Sequence, residues 1–131
     1  MNDNQSKTLE RWHEFVETKN NEILSQILND EMTFHSPFLH KPKGKDFGLM
    51  ALQTVVEVFE NFRYTRKFYN ENSCVLEFAA NIGAVELQGV DLIEFDENGQ
   101  IVDFKVMIRP ARGLQTLADE MGKRFAAKGF A

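Results

Sequence analysis

The chain has 131 residues, 43% hydrophobic, with 15 Lys and Arg against 20 Asp and Glu, a formal net charge of -5 and a pI near 5.2. That length suits one domain, expected over residues 1–131, and the acidic balance argues against nucleic acid or anionic membrane as a partner, because polyanions are held by clustered Lys and Arg. No apolar run approaches a membrane span and MNDNQSK leads into a charged helix, so a cytoplasmic address is the default expectation. Cys74, the sole cysteine, excludes an internal disulfide, and its place in SCVLEF reads as a small core residue.

In chain order, Leu9, Trp12, Phe15 and Val16 recur at helical spacing in TLERWHEFVETK, as do Ile23, Leu24, Ile27 and Leu28 in NEILSQILND. Two short amphipathic helices are predicted. MTFHSPF is expected to be extended, since Pro37 and Pro42 exclude a helix there, and KPKGK at 41–45 reads as a solvated loop. Phe47, Met50, Ala51, Val55, Val58, Phe59 and Phe62 predict one stripe of a long third helix. FRYTRKFY, CVLEFAANI, AVELQGVDLIEF and QIVDFKVMI follow as strands, rich in branched and aromatic residues, with DENG as a hairpin turn between the last two. Pro110 opens a final helix with Leu114, Leu117, Met121 and Phe125 on its buried side.

This order predicts an α+β fold: a curved, mostly antiparallel sheet covered by about three N-terminal helices, with a C-terminal helix. Strand alternation then sorts the two faces. Val102, Phe104, Val106 and Ile108 should face the helices, together with Leu76, Phe78, Ala80 and Ile82. In GVDLIEF the same rule sends Asp91 to the apolar side with Leu87, Gly89, Ile93 and Phe95, while Glu86 and Glu94 face outward. A carboxylate in an apolar hollow loses hydration, so its pKa rises and it becomes a hydrogen-bond donor or a tunable acid. Trp12, Ser36 and Tyr64 are its candidate neighbours, and Gly89 leaves room for a ligand atom. Either Asp91 faces a ligand or it ties the first helix to the sheet.

The histidines are weaker candidates. His13 falls at the edge of the first helix. His35 alternates with Phe34 and Ser36 and so belongs on the opposite side of its strand, in packing or a dimer interface; a twist of that strand would instead pair it with Asp91 as acid and base. His35 and His40 have no nearby third ligand, so neither a metal site nor a cofactor is expected. The outer face mixes Asp103, Lys105, Met107 and Arg109 with Glu86, Gln88, Val90 and Leu92, a combination suited to a twofold homodimer, with plain solvent exposure as the alternative.

With its elements in this order, and with MTFHSP after the second helix and the hairpin GVDLIEFDENGQIVDFKV, the chain resembles the nuclear transport factor 2-like superfamily from Thr8 to about Phe125. That superfamily holds ketosteroid isomerases, SnoaL-like polyketide cyclases and limonene epoxide hydrolases, as well as members without assigned activity. The resemblance implies a cone of helices on a bent sheet, a pocket inside it and a homodimer on the outer face. Of the isomerase set it implies Asp91 as the protonated acid, but Ser36 stands where the aspartate base would be and Trp12 where the oxyanion tyrosine would be. The epoxide hydrolase set lacks its arginine, at Gly89, and its second carboxylate, at Val106. The cyclase base has only Asp103 as a candidate, on the outward face.

Three functions follow as expectations. The first is a SnoaL-like protein binding a small hydrophobic molecule in a pocket lined by Trp12, Phe34, Leu52, Leu76, Phe78, Leu87, Phe104, Val106 and Ile108, oriented by Asp91 and Ser36. The second is an isomerase, cyclase or hydrolase acting on a hydrophobic carbonyl compound with Asp91, and His35 with it, as acid or base. The third is a protein-interaction module, for which the cone would be filled.

Overall fold

The computed structural model describes residues 1–129. Among them the elements run α1 (Asp3–Thr18), α2 (Asn21–Ile27), β1 (Leu28–His35), α3 (Lys45–Val58), β2 (Glu60–Tyr69), β3 (Ser73–Ile82), β4 (Val85–Phe95), β5 (Ile101–Arg109) and α4 (Ala111–Ala127). The strands form one sheet in the order β1-β5-β4-β3-β2, antiparallel throughout except that β1 runs parallel to β5. The α+β arrangement expected from the sequence is the one observed.

Local chemistry sets the helix ends. The Asn2 side chain accepts from the Gln5 backbone N–H at 2.8 Å while Gln5 Oε1 accepts from the Asn2 N–H at 2.9 Å, a reciprocal cap that starts α1 well before Thr8. The buried Gln5 amide also donates to Asn72 Oδ1 and the Asp96 carbonyl, both at 3.1 Å, pinning the helix start to two hairpin ends. Lys45, read from the sequence as part of a solvated loop, is instead the first residue of α3. Its ammonium donates to the carbonyls of Ser25 and Leu28 at 2.9 and 2.8 Å, satisfying groups left open at the end of α2.

Three boundary expectations need correction. Leu28 opens β1 rather than closing the second helix, because the chain turns extended there and Leu28 keeps its burial in the strand. Helix α3 ends at Val58, so Phe59 and Phe62 leave the helical stripe; Phe62 and Tyr64 instead alternate along β2. A spacing of three or four residues satisfied the helical period there although the backbone had already changed. In β5 an extra residue stands opposite the Glu94–Phe95 step, since Glu94 pairs with Asp103 but Phe95 pairs with Ile101. This bulge at Val102 puts the fully buried Ile101 inward in place of Val102, which sequence alternation had assigned to the core.

Helices α1 to α3 cover one face of the sheet, and their apolar stripes meet Leu76, Ile93 and Phe104 in a continuous core. Helix α4 closes the far end, coming so near β4 at Gly113 that a Cβ there would lie 2.7 Å from Leu87 Cβ. The DENG turn forms with Gly99 at φ 88, a conformation glycine adopts without strain, and its N–H donates to the Asp96 carbonyl at 3.0 Å.

Candidate functional site

Between the helices and the concave side of the sheet lies a cavity of about 650 Å³. Its wall takes Trp12 and Val16 from α1, Phe34 from β1, the Ser36–Leu39 segment, Met50, Leu52 and Val55 among others from α3, Phe62 from β2, Phe78 from β3, Val106 and Ile108 from β5, and Leu117, Met121, Gly122 and Phe125 from α4. Asp91, from β4, is the one ionisable side chain in that lining among the described residues.

The Asp91 carboxyl is only 5% exposed and sits at the end of a directed chain of hydrogen bonds. The Trp12 indole N–H donates to the Tyr64 hydroxyl at 2.8 Å, and that hydroxyl donates to Asp91 Oδ2 at 2.8 Å. Among the described residues no other group bonds the carboxyl, and no fully buried side-chain oxygen lacks a partner, so Oδ1 is the oxygen that meets the cavity. Burial is the main influence on this group. It pushes the Asp91 pKa up to about 7, against the smaller stabilisation of the carboxylate by Tyr64. Burial and the Asp91 charge beside it likewise hold the Tyr64 phenol well above its ordinary value. Cys74 is pushed up to about 12, first by burial and then by Asp91, so it stays a thiol.

The remaining pocket residues expected from the sequence fall into three groups. Trp12, Phe34, Ser36, Leu52, Phe78, Val106 and Ile108 line the cavity with Asp91. Ser36 sits toward the Phe38 side, where its Oγ accepts from the Phe38 N–H at 3.1 Å. Leu76, Leu87 and Phe104 are buried in the core and are not part of the lining. Gly89 is also outside it, for a different reason than the one anticipated. The space above its Cα is filled by the Phe78 ring, which a Cβ would meet at 2.5 Å, so the glycine admits Phe78 rather than a ligand.

His35 lies away from the cavity. Its Nε2 is 2.9 Å from Asp103 Oδ1 on the outer face, as strand alternation required, so it does not pair with Asp91. His13 stacks edge-on against Tyr64 at 5.3 Å, and burial, followed by the Lys67 charge, lowers its pKa. The lining residues of α4 and, beyond Ser36, of the loop after β1 were not foreseen as pocket residues. The helical stripe of Leu117, Met121 and Phe125 was visible, but an apolar stripe reads the same whether it faces packed side chains or empty space.

Comparison with solved structures gives the family. A crystal structure of a steroid delta-isomerase from Pseudomonas aeruginosa is 42% identical, covering 100% of this chain and 98% of that one, with a TM-score of 0.95. An uncharacterised protein with a cystatin-like fold from Silicibacter pomeroyi is 32% identical over 91% of this chain and 85% of its own, with a TM-score of 0.84. An NTF2-like protein of unknown function from Cytophaga hutchinsonii has a TM-score of 0.62 at 18% identity, over 85% of this chain and 94% of that one, a likeness of fold alone. The chain belongs to the nuclear transport factor 2-like superfamily. No protein-family model matches it, and none of the curated proteins does. Within this superfamily the chain combines an acid at Asp91 with a hydroxyl at Ser36 and an indole at Trp12. That set supplies one titrating group to the cavity.

Proposed function

We propose that the protein binds a small hydrophobic molecule inside the cone and orients it by one hydrogen bond to Asp91. The observation that carries this reading is the cavity of about 650 Å³ whose lining, among the described residues, contains Asp91 as its lone ionisable group. Apolar contact would supply the affinity, and one buried carboxyl would fix which end of the ligand goes in first. Ser36 offers a second, more exposed polar contact. The open cavity weighs against a pure interaction module. The test is a thermal-shift panel of apolar ketones, alcohols and amines on the wild type and Asp91→Asn at pH 5.5 and 8.5. Binding predicts stabilisation by some members, with a preference among head groups that Asp91→Asn alters. A panel whose responses are identical in the two proteins would remove Asp91 from the site.

A second reading, isomerase-like turnover of a hydrophobic carbonyl compound, is favoured by the likeness to a steroid delta-isomerase together with an acid poised near pH 7. Asp91 would then be the acid or base. Incubating the protein with a β,γ-unsaturated ketone and following the absorbance of the conjugated product separates the two readings, since pure binding yields no product.

We also propose that the outer sheet face forms a homodimer. Val90 and Met107 are cross-strand partners at its centre, with the Gln88–Arg109 pair on one side and the Leu92–Lys105 and Glu94–Asp103 pairs on the other, which surrounds a small apolar patch with charge.

A further inference from the structure

We infer that Trp12 is a positioning residue: its indole N–H sets the direction of hydrogen bonding through Tyr64, so that the proton of neutral Asp91 sits on Oδ1, the oxygen offered to a ligand. An indole nitrogen donates and never accepts. With the Trp12 N–H 2.8 Å from the Tyr64 oxygen, that oxygen must accept, and its own single proton is left to go to Asp91 Oδ2, also at 2.8 Å. Oδ2 is thereby an acceptor in both ionisation states. When Asp91 takes up a proton, Oδ1 carries it into the cavity.

The reverse arrangement, in which Oδ2–H donates to Tyr64, would give the phenol oxygen two donors and leave its own proton without an acceptor. Phe62 and Phe78 lie around the ring with edge contacts at 5.0 and 6.5 Å and offer no oxygen or nitrogen, and His13, edge-on at 5.3 Å, makes no hydrogen bond to the hydroxyl, whose partners among the described residues are Trp12 and Asp91. Leaving a buried hydroxyl proton unbonded is strongly unfavourable. A tyrosine or serine in place of Trp12 would lift the restriction, because a hydroxyl can both give and take a hydrogen bond. The role of Trp12 is therefore electronic as well as steric, and it acts on the ligand through Tyr64 and Asp91.

The titratable and charged groups facing this chain are His13 on α1, edge-on to Tyr64, Lys67 on β2, 5.8 Å from the Tyr64 ring, and Cys74 on β3. Of these, His13 is the one able to mimic the signal of Asp91, so the experiment carries a His13 control. Trp12 is the only tryptophan, which makes its indole N–H resonance self-assigning. The experiment follows that resonance in ¹⁵N-labelled, ligand-free protein from pH 5 to 9, alongside the ¹³C carboxyl resonance of Asp91. The expected result is that the indole resonance moves with the Asp91 midpoint, keeps that movement in His13→Gln and loses it in Tyr64→Phe. Trp12→Phe should raise the Asp91 midpoint by about half a unit, because Tyr64 becomes a weaker donor to the carboxylate. An indole resonance that stays still through the Asp91 titration, that moves equally in Tyr64→Phe, or that stops moving in His13→Gln would overturn the inference. The wild-type titration needs no substitution to fold. The inference rests on the proposed use of Asp91 by a ligand, yet the measurement uses none, so a failed ligand search and a failed relay remain distinguishable.

Discussion

The Tyr64 hydroxyl on β2 reaches across β3 to donate to Asp91 Oδ2 on β4 at 2.8 Å, joining two residues on strands that are not neighbours in the sheet. Curvature makes this possible: on the concave side, a long side chain from the edge strand leans over its neighbour and ends above the next strand. The result is an acid held inside an apolar cavity by one donor, and its energetics set the first prediction.

Asp91 should make stability fall as pH rises. Its pKa is raised from an ordinary 3.8 to about 7, so between those values the folded protein keeps a proton that the unfolded chain has lost. The stabilising contribution is complete below about pH 4, declines toward pH 7 and levels off above it, by at most about 4 kcal/mol. The partly exposed Glu77 has the opposite sign, being lowered to about 2 by its bonds to Arg66 and Thr65, so its effect is confined to acid below its ordinary range. Urea unfolding of the wild type and Asp91→Asn at pH 5, 6.5 and 8 checks this. The variant should lack the decline, gaining on the wild type as pH rises, and parallel profiles would contradict the assigned burial effect.

Gly89→Ala should destabilise by about 1–3 kcal/mol or more, as overpacked sites do. The added Cβ would fall 2.5 Å from the Met107 carbonyl oxygen and 2.5 Å from Phe78 Cζ. The ring can turn, but the carbonyl belongs to the β5 backbone and cannot yield without disturbing the ladder. Thermal melting together with ligand response would show the loss, and a neutral substitution would mean that β4 and β5 are farther apart than described.

Gly122→Ala should do the opposite. Gly122 lies within α4 and lines the cavity, and a methyl group added there would meet no atom within 4 Å beyond its own helix, so the substitution costs no contact and removes backbone freedom from the unfolded chain. A gain of about 0.5–1 kcal/mol is expected. Gly122→Phe, in contrast, should occupy the cavity and abolish the response to the ligand panel while leaving the far-UV circular dichroism spectrum unchanged.

Met107→Glu tests the outer face. Met107 is 51% exposed in the single chain and lies opposite Val90. If a second copy covers that patch, introducing a carboxylate on each side of the twofold should dissociate the dimer, visible as a halved mass by sedimentation equilibrium. A wild-type protein that already sediments as a monomer at micromolar concentration would refute the dimer.

Much of this architecture was legible in the chain because periodicity is a local property. The stripe Leu9, Trp12, Phe15 in α1 and the alternation that sends Asp91 inward and Asp103 outward follow from 3.6- and 2-residue repeats, and DENG carries its turn in its own residues. The same local reading went wrong where two periods overlapped. Phe59 and Phe62 continue the helical spacing past Val58, while Phe62 and Tyr64 fit strand alternation as well, and nothing near Val102 announces a bulge.

By itself, then, the sequence determined the order of elements and the face on which the lone inward acid would lie, since both depend on residues a few positions apart. Tertiary structure alone decided that Trp12 and Tyr64, 52 residues apart, would meet, that Phe78 would take the space beside Gly89, and that α4 would complete the cavity wall. The physical reason is that hydrogen-bond partners and empty volume depend on sheet curvature and helix placement, which arise from packing across the whole domain and leave no periodic trace in the chain.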